Sequence, residues 1–266
     1  MMPVIAFNTA NLVARFSDYR FSLSNWMDQH QLTVAKMDEK EFALICGEIA
    51  DCGYTAIELW VAHVDPQGMT EQRAMRYKSI LADNGLNVVA LAGGLDEQTA
   101  RVCQRLDIPM TAGGIDQSRK TAIRKLSRKT GIRVNHENHP EKTVDEIRQK
   151  IDFGADGLGI AVDTGWMGTQ GMNVPLAIRE LGTLIRHVHV KDIKAAGMHE
   201  TVALGNGCVD IPAVIGELKA IGYRGALSWE DEPEDRNPMQ IAAQMRQYIQ
   251  TLWEAESEKG ARDEQV

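Results

Sequence analysis

Eight short apolar runs, separated by stretches with helical periodicity, constrain the fold of this 266-residue chain more than any other feature. In the intervals, apolar residues recur every three or four positions and a glycine often follows, as at the end of a helix. Four intervals give the clearest predicted helices: 39–53, 71–85, 144–154 and 211–222. The predicted strands are VIAF (4–7), TAIELW (55–60), NVVALA (87–92), IPMTAG (108–113), IRVNHE (132–137), LGIAVD (158–163), IRHVHV (185–190) and GALSWE (225–230).

Eight strand–helix repeats in a chain of this length predict an α/β fold, a closed (β/α)₈ TIM barrel built as a single domain. We place the barrel in residues 1–254 and interpret 255–266 as a polar C-terminal tail. The alternative is an open, doubly wound sheet, which needs about six strands and usually a glycine-rich turn after the first. Here the first strand leads into NTANLVARF, which contains no glycine.

The composition restricts the partners of the chain. The net charge is −8, and a nucleic-acid footprint usually requires a basic face, so no nucleic acid is expected. No apolar run reaches the roughly 18 residues of a membrane span, and MMPVIAFNTA lacks the basic and apolar segments of a signal peptide. The cysteines lie without metal or disulfide spacing, as in a reduced compartment: Cys46, Cys52, Cys103 and Cys208. We therefore expect a cytoplasmic protein that contacts no membrane.

The segment 8–38, between the first strand and its helix, is longer than a barrel connection requires. It carries four aromatic residues: Phe16, Tyr19, Phe21 and Trp26. Two interpretations stay open at this point. The segment is either an extra helix packed on the rim of the barrel or a lid over its mouth, because long barrel loops are often functional.

Charged and imidazole side chains end four successive predicted strands. Glu137 ends the fifth, Asp163 the sixth and Glu230 the eighth, while His189 lies near the end of the seventh. The carboxyl ends of barrel strands meet at the active face, so these side chains are expected to converge. Converging carboxylates repel one another, and a divalent cation offsets that repulsion. Three carboxylates and one imidazole suit Mn²⁺, Mg²⁺ or Co²⁺, with Zn²⁺ possible, and Mn²⁺ is our first choice.

Four further residues are candidates for substrate binding. Lys191 shares a strand face with His189 and would neutralise an oxyanion or hold a hydroxyl group or phosphate. Trp60 and Trp166 would offer apolar faces to the C–H side of a ligand, or simply pack at the rim. Glu58 lies near the end of the second strand and is either a binding residue or a structural ion-pair partner.

Three residues near the predicted cluster have simpler interpretations beside the functional ones. His187 lies deeper on the seventh strand and is expected to be a satisfied core histidine. Asp163 taken alone could be a helix N-cap, and Asp210 is expected to be one. His139 shares the face of Glu137 if the strand continues, so it could orient a ligand residue or transfer a proton itself.

Several motifs resemble the xylose-isomerase-like TIM barrel superfamily, and within it the sugar phosphate isomerase/epimerase family, also called AP endonuclease family 2. They are IEL, ENH, DTGW, HVHVKD and GNGCVDIPAVIGELKAIGYRGALSWE. The resemblance spans most of the chain. It implies a metal held by Glu137, Asp163, His189 and Glu230, and it alone implies a carbohydrate substrate and a possible homo-oligomer.

The chain departs from the endonuclease members that it resembles. Those relatives carry extra histidines for a three-metal cluster, one of them three residues after the aspartate of the sixth strand, where this chain has Trp166. They also place an Asp-x-His pair after the seventh strand, where this chain has GNGCVD. With the acidic net charge, these departures predict a single metal and argue against DNA cleavage.

The predicted activity is isomerisation or epimerisation of a keto sugar or related hydroxy-carbonyl compound through an enediolate. Glu137 and Glu230 would remove and return the proton beside the carbonyl. The alternative is a metal-dependent lyase that catalyses β-elimination from a 3-oxo sugar or glycoside, with His139 or a glutamate as the base. A third hypothesis, from a different class, is a non-catalytic barrel that binds a metal or a sugar.

Overall fold

A computed structural model describes the backbone of residues 2–263 and the side chains of residues 2–255. Within them, eight parallel strands form a closed barrel, so the predicted (β/α)₈ fold is confirmed. The barrel strands are β1 (Ile5–Asn8), β2 (Ala56–Trp60), β3 (Asn87–Ala92), β4 (Met110–Gly113), β5 (Arg133–Glu137), β6 (Gly159–Asp163), β7 (Ile185–Val190) and β10 (Leu227–Trp229). A separate antiparallel pair is formed by β8 (Asp192–Ile193) and β9 (Thr201–Val202).

All eight predicted strands exist, and the differences lie at their ends. The fourth starts two residues later than predicted, at Met110, because Pro109 has no N–H for a strand ladder.

The α-helices are α1 (Trp26–Lys36), α2 (Glu39–Asp51), α3 (Val61–Val64), α4 (Glu71–Asp83), α5 (Glu97–Arg105), α6 (Lys120–Thr130), α7 (Val144–Lys150), α8 (Thr164–Thr169), α9 (Val174–Leu181), α10 (Ile211–Ala220) and α11 (Ala242–Asp263). Short 3₁₀ segments are Thr9–Leu12, Arg15–Ser17, Leu23–Asn25, Gln117–Arg119, Asp152–Gly157, Gly182–Leu184 and Pro238–Gln240.

The predicted helices begin at their expected residues because the preceding side chain caps each of them. Asp38, Thr70, Thr143 and Asp210 accept hydrogen bonds from the first turn of α2, α4, α7 and α10. The third predicted helix, 144–154, is too long: α7 ends at Lys150. The chain then turns through residues with positive φ, including Phe153 at 56°, which an α-helix cannot contain.

The strands follow one another around the barrel in chain order, and β1 closes it by pairing with β10 as well as β2. Closure leaves no unpaired edge among the barrel strands. The core lies between the sheet and its helices and is fully buried at residues such as Ile57, Leu91 and Val188. Phe7 and Trp229 meet edge to face inside it, with ring centroids 5.5 Å apart.

The long segment after β1 forms the first three 3₁₀ turns and α1, and an ion-pair network holds it to the barrel. The Arg15 guanidinium donates to Glu41 at 2.5 Å and to Glu48 at 2.7 and 3.0 Å, both on α2. The predicted extra helix on the rim is therefore present as α1. The part of this segment that faces the barrel mouth is described with the site below.

The C-terminal helix α11 runs from Ala242 to Asp263, so its backbone continues into the segment 255–266 that the sequence assigns to a polar tail. Residues 264–266 of that segment lie outside the described residues. In the part of the chain that the structure describes, no helix combines the length and the apolar character needed to cross a bilayer.

Candidate active site

The structure brings the four predicted metal ligands together at the carboxyl end of the barrel. Glu137 ends β5, Asp163 ends β6, His189 is near the end of β7, and Glu230 directly follows β10. One ligand atom from each lies within 4.8 Å of the others. The parallel sheet explains this convergence, because neighbouring strands end at the same face although the residues are far apart in sequence.

His189 is the electrostatic centre of this cluster. Its Nδ1 atom is 2.6 Å from Glu137 Oε1 and 2.7 Å from Glu230 Oε2. Burial lowers the pKa of His189, but the charges of Glu230, Glu58 and Glu137 outweigh burial and hold that pKa well above its usual range. Burial likewise raises the pKa of Glu230, and the positive charges of His189 and Lys191 bring it below its usual range. Carboxylate oxygens from two strands thus converge on one nitrogen of the His189 ring.

Asp163 caps a helix and also lies in the cluster, two positions that the sequence treated as alternatives. Its Oδ1 atom accepts a hydrogen bond of 2.9 Å from the Trp166 N–H and caps α8. Its Oδ2 atom is fully buried, faces the cluster and has no hydrogen-bond partner among the described residues. The Asn138 side chain fixes the backbone here, because it accepts from the Asp163 N–H at 2.8 Å and donates to the Asp163 carbonyl at 3.0 Å. A buried oxygen held rigidly without a partner is suited to a cation.

The sequence left Glu58 open as a binding residue or a structural ion-pair partner. Its side chain is fully buried and does not line the cavity at the barrel mouth. Its oxygens bond instead to His187 Nε2 at 2.7 Å and His189 Nε2 at 3.0 Å. Burial raises the pKa of Glu58, and the two histidines outweigh burial and lower that pKa. This arrangement matches the ion-pair alternative, and it places His187 in the core as expected.

Lys191 and Glu232 form a second charged pair beside the cluster. The Lys191 ammonium donates to Glu232 Oε2 at 2.7 Å and lies 3.6 Å from both Asp163 Oδ2 and Glu230 Oε1. Burial raises the pKa of Glu232, and the negative charge of Glu230 raises it further. The positive charge of Lys191 lowers it in part, and the pKa of Glu232 is about 8.

Sequence reasoning missed Glu232. The signal was present in LSWEDE, since a strand that continues one pair of residues would place Glu230 and Glu232 on the same face.

A cavity of about 370 Å³ opens above the cluster. Glu137, His189, Glu230 and Glu232 contribute to one side of it, and three further predicted site residues also line it: His139, Trp60 and Trp166. His139 Nε2 is 3.8 Å from both Glu137 Oε1 and Asp163 Oδ2, and its side chain is 35% exposed. Burial lowers the pKa of His139, and Glu137 and Asp163 outweigh burial and raise it.

Four cavity residues from the segment after β1 also escaped the sequence analysis: Ala10, Leu23, Trp26 and His30. The segment therefore does more than add a helix to the rim, because part of it forms a wall of the cavity. Trp26 had been noted only as an aromatic residue of this segment. No signal in the sequence would have shown which of the aromatic side chains turns inwards.

The donor set fits a divalent cation. Three carboxylate oxygens and one imidazole nitrogen come together here, and among the described residues Asp163 Oδ2 accepts no hydrogen bond. His189 would offer Nδ1 to the metal while Nε2 donates to Glu58, which is the usual way that a carboxylate orients a metal-binding histidine. A bound cation would supply a fixed positive charge that stabilises negative charge developing on a ligand oxygen.

The fold and this site define a class: (β/α)₈ barrels with three carboxylates and one imidazole gathered at the carboxyl end of the strands. The comparison with protein families specifies it further. The family model described as "Xylose isomerase-like TIM barrel" matches residues 46–252, and the chain belongs to this family.

Similar proteins include both dehydratases and epimerases. Inosose dehydratase of Clostridium beijerinckii is 24% identical over 216 residues, which cover 69% of this chain and 71% of that protein. A solved structure of L-ribulose 3-epimerase superposes with a TM-score of 0.68 at 21% identity and covers 98% of this chain and 97% of the other. The IolI protein with a bound zinc atom gives a TM-score of 0.67 at 14% identity, with 94% and 98% covered.

Proposed function

We propose that the protein is a divalent-metal-dependent sugar isomerase or epimerase that acts on a keto sugar or a related hydroxy-carbonyl compound. One observation carries this proposal: Glu137 and Glu230 approach the same atom, His189 Nδ1, from β5 and β10, which are three strands apart in the barrel. Both carboxylates also line the cavity. A substrate above the cluster would therefore lie between two groups that can exchange protons with it.

The reaction requires removal of a proton from the carbon beside a carbonyl. One glutamate, Glu137 or Glu230, takes this proton while the electron pair moves to the carbonyl oxygen and an enediolate forms. The other glutamate returns the proton to the opposite face for an epimerase, or to the neighbouring carbon for an isomerase. The bound cation, which we propose to be Mn²⁺ with Mg²⁺, Co²⁺ or Zn²⁺ as alternatives, supplies the charge that makes the C–H group acidic.

The neighbouring side chains have supporting roles in this proposal. Lys191 does not line this cavity; its buried ammonium lies 3.6 Å from Glu230, so it would influence the substrate through the charge of that carboxylate. Trp60 and Trp166 line the cavity and would pack against the C–H side of the sugar. Glu58 acts through His189 by fixing which ring nitrogen carries the proton, so it is a positioning residue and does not touch the substrate.

A second candidate function is β-elimination from a 3-oxo sugar or glycoside. The position of His139 favours it, since this half-buried imidazole lines the cavity 3.8 Å from Glu137 and Asp163. The base, His139 or a glutamate, takes the proton beside the carbonyl, a carbon–carbon double bond forms, and the β oxygen leaves with its electron pair. The similarity to inosose dehydratase also supports a lyase.

Deuterium exchange tests the shared first step. The Mn²⁺-loaded protein is incubated in D₂O with a panel of ketoses, and NMR follows deuterium at the carbon beside the carbonyl together with any new isomer. We expect exchange that stops when a chelator removes the metal. Absence of exchange into every ketose despite bound metal would contradict the isomerase and epimerase proposal.

A 3-oxo-glycoside distinguishes the lyase from the isomerase, because only the lyase releases the aglycone. If His139 is the base, His139→Ala is expected to abolish that release. His199→Ala is the matched control, since His199 also packs against the Trp166 ring, with centroids 4.5 Å apart. Full activity of the His139 variant would contradict this role. A cytoplasmic location and a homo-oligomer stay predictions from the sequence.

A further inference from the structure

The polar sequence NTAN (8–11) lies where β1 ends, and the proposed function gives none of its side chains a role. Asn8, Thr9 and Asn11 are almost completely buried, with 1%, 0% and 1% of their surface exposed. Buried polar atoms in folded proteins are nearly always hydrogen-bonded, so one without a protein partner calls for a ligand or a water molecule. The partners of these three side chains therefore show whether the segment is only structural.

Asn8 and Thr9 bond to nearby backbone through their oxygen atoms. Asn8 Oδ1 accepts a hydrogen bond of 3.0 Å from the Ala10 N–H and caps the first 3₁₀ turn. Thr9 Oγ1 accepts from the Trp60 N–H at 2.7 Å, which ties this turn to β2. The exception is Asn8 Nδ2, which is buried and has no hydrogen-bond partner among the described residues.

Asn11 holds the same turn against the strand that leads to Glu230. Its Oδ1 atom accepts from the Asp231 N–H at 2.7 Å, and its Nδ2 atom donates to the Trp229 carbonyl at 3.2 Å. The backbone is thus fixed on both sides of Glu230. One short turn therefore positions the Asn8 amide and the Glu230 carboxylate relative to each other.

The Asn8 donor stays unbonded although carboxylates flank it in the sheet. Asn8 pairs in register with Glu58 of β2, and the register between β1 and β10 places it level with Glu230 on the other side. Both oxygens of Glu58 bond to the histidines of β7. Glu230 is also turned towards β7, with Oε2 2.7 Å from an imidazole nitrogen of that strand. Neither carboxylate takes up the Asn8 donor.

The Asn8 side chain lines the cavity at the barrel mouth together with Glu137 and Glu230. Its amide oxygen is committed to the Ala10 N–H, so the group that it can offer to a ligand is the Nδ2 donor. A donor that is fixed in a site shielded from water stabilises an oxygen most strongly when negative charge develops on that oxygen.

Resting on the proposed function, we propose that Asn8 is a further catalytic residue, whose Nδ2 group donates a hydrogen bond to the substrate oxygen that gains negative charge during proton removal. The C–H bond beside the carbonyl breaks and its proton passes to Glu137 or Glu230. The electron pair forms a carbon–carbon double bond and displaces the carbonyl electrons onto the oxygen. Asn8 donates to that oxygen and keeps its own protons. The β-elimination begins with the same step, so this role is common to both reactions.

Substitution of Asn8 at saturating Mn²⁺ tests this role. Asn8→Ser keeps an acceptor for the cap but is too short to offer the same donor, and Asn8→Asp keeps the cap and the shape but replaces the donor with a charged acceptor. We expect kcat for deuterium exchange into a ketose to fall about 100-fold in each variant, with KM changed less than about threefold. The loss falls on kcat because the hydrogen bond strengthens as the charge develops.

Asn237→Ser is the matched control for these variants. Asn237 also caps a 3₁₀ turn by accepting from the N–H two residues later, that of Met239, at 2.9 Å. It does not line the cavity, so its substitution should leave kcat and KM at the values of the parent protein. Unaltered kcat in both Asn8 variants would overturn the inference, and Asn8→Asp keeps the test valid should Asn8→Ser fail to fold.

Binding of glycolohydroxamate tests the donor without turnover. The planar hydroxamate group carries negative charge on an oxygen as the enediolate does, and calorimetry measures its affinity for the Mn²⁺-loaded protein. We expect binding to be about tenfold weaker in Asn8→Ser than in the parent protein and in Asn237→Ser. Equal affinities, or no measurable binding to the parent protein, would overturn the inference whatever the exchange assay shows. Weaker binding in Asn8→Ser without exchange into any ketose would retain the inference and contradict the isomerase and epimerase proposal.

Discussion

The two halves of the barrel mouth occupy equivalent positions in the fold and carry opposite chemistry. One half, which we call the polar half, carries carboxylates at the ends of β5 and β6 and directly after β10: Glu137, Asp163 and Glu230. On the other half, β3 and β4 lead into glycine pairs, Gly93–Gly94 and Gly113–Gly114. The closed sheet thus fixes where strand ends lie, and the residues at those ends decide what each half can do.

Close backbone contact explains the glycines. A Cβ atom at Gly113 would lie 2.6 Å from the Gly93 carbonyl carbon, which is closer than real Cβ contacts. The Gly93 N–H also donates to the Ala112 carbonyl at 2.7 Å. This half of the mouth is therefore held together backbone to backbone and offers surface, whereas the other half offers charge. Substitutions should accordingly have different consequences in the two halves.

Removing one charge from the polar half should change the Mn²⁺ affinity more than any other substitution considered. Asp163→Asn keeps the oxygen that caps α8 but replaces the partnerless Oδ2 with a neutral amide group. We expect the affinity for Mn²⁺ to fall by at least about 100-fold, because a charged ligand is lost from a set of four. Titration of the metal-free protein with Mn²⁺, followed by electron paramagnetic resonance, measures this.

Asp210→Asn is the matched control for that variant. Asp210 caps α10 by accepting a hydrogen bond of 3.0 Å from the Ala213 N–H. It does not belong to the cluster of possible metal ligands among the described residues. The same chemical change at an equivalent helix position should leave the Mn²⁺ affinity unaltered. Equal Mn²⁺ affinities of the Asp163 variant and the parent protein would show that Asp163 serves only as a cap.

A smaller loss of Mn²⁺ affinity is expected when Glu58, which orients the predicted ligand His189, is changed. Glu58→Gln leaves a group that can still bond to His187 but no longer fixes the His189 ring through an ionised carboxylate. We expect the Mn²⁺ affinity to fall roughly 10- to 100-fold, which is typical when the carboxylate behind a metal-binding histidine is altered. The same titration measures it.

Glu141→Gln provides the comparison for this second change. Glu141 is also a buried glutamate beside a histidine, with its Oε1 atom 3.4 Å from His136 Nε2, and it does not line the cavity. Its substitution is expected to affect stability but not Mn²⁺ affinity. If both variants lose metal affinity equally, the cause is general loosening of the barrel and not the orientation of His189.

The polar half could be predicted from the sequence, whereas the position of Trp26 on the cavity could not, for a physical reason. Each strand ends at the same face, so a carboxylate or imidazole at the end of a predicted strand has a known location. Glu137, Asp163, His189 and Glu230 were identified in this way, and the structure brings them together. The direction of Trp26 depends instead on how an irregular segment folds back across the rim, which no periodicity encodes.

The sequence left the depth of Glu58 within the barrel undecided. Glu58 lies two residues before the end of a predicted strand, and alternation of strand faces could place it towards the interior. Whether it reaches the cavity depends on the register between strands, and β2 is shifted against β3 between Ile57 and Glu58. The interior position of His187, two residues before His189, was predictable because it requires only the period of a single strand.

Two buried histidines sharpen the contrast between the halves. His63 packs edge to face against Trp60, and neither of its ring nitrogens has a hydrogen-bond partner among the described residues. Burial first, and then the charges of Arg15 and His30, lower the pKa of His63 to about 3. His189, equally buried but surrounded by carboxylates, has its pKa raised instead. Charge environment and not burial therefore decides the direction of the shift.

The lowered pKa of His63 predicts how stability changes with pH, and this is the smallest of the expected effects. Between pH 7 and pH 5, His63 in the unfolded chain takes up a proton, because its pKa there is near 6.5. In the folded protein His63 stays neutral over this interval. The unfolded state then binds more protons, so stability falls as the pH falls. The His63 contribution over this interval is on the order of 2 kcal/mol, and it is lost in His63→Leu.

Urea unfolding of the metal-free protein at both pH values should therefore show a weaker loss of stability in the His63→Leu variant. His199→Leu, which changes an exposed histidine, should keep the loss of the parent protein. An identical loss of stability in the His63 variant would mean that His63 is protonated or hydrated in the folded state, and the contrast with His189 would then fail.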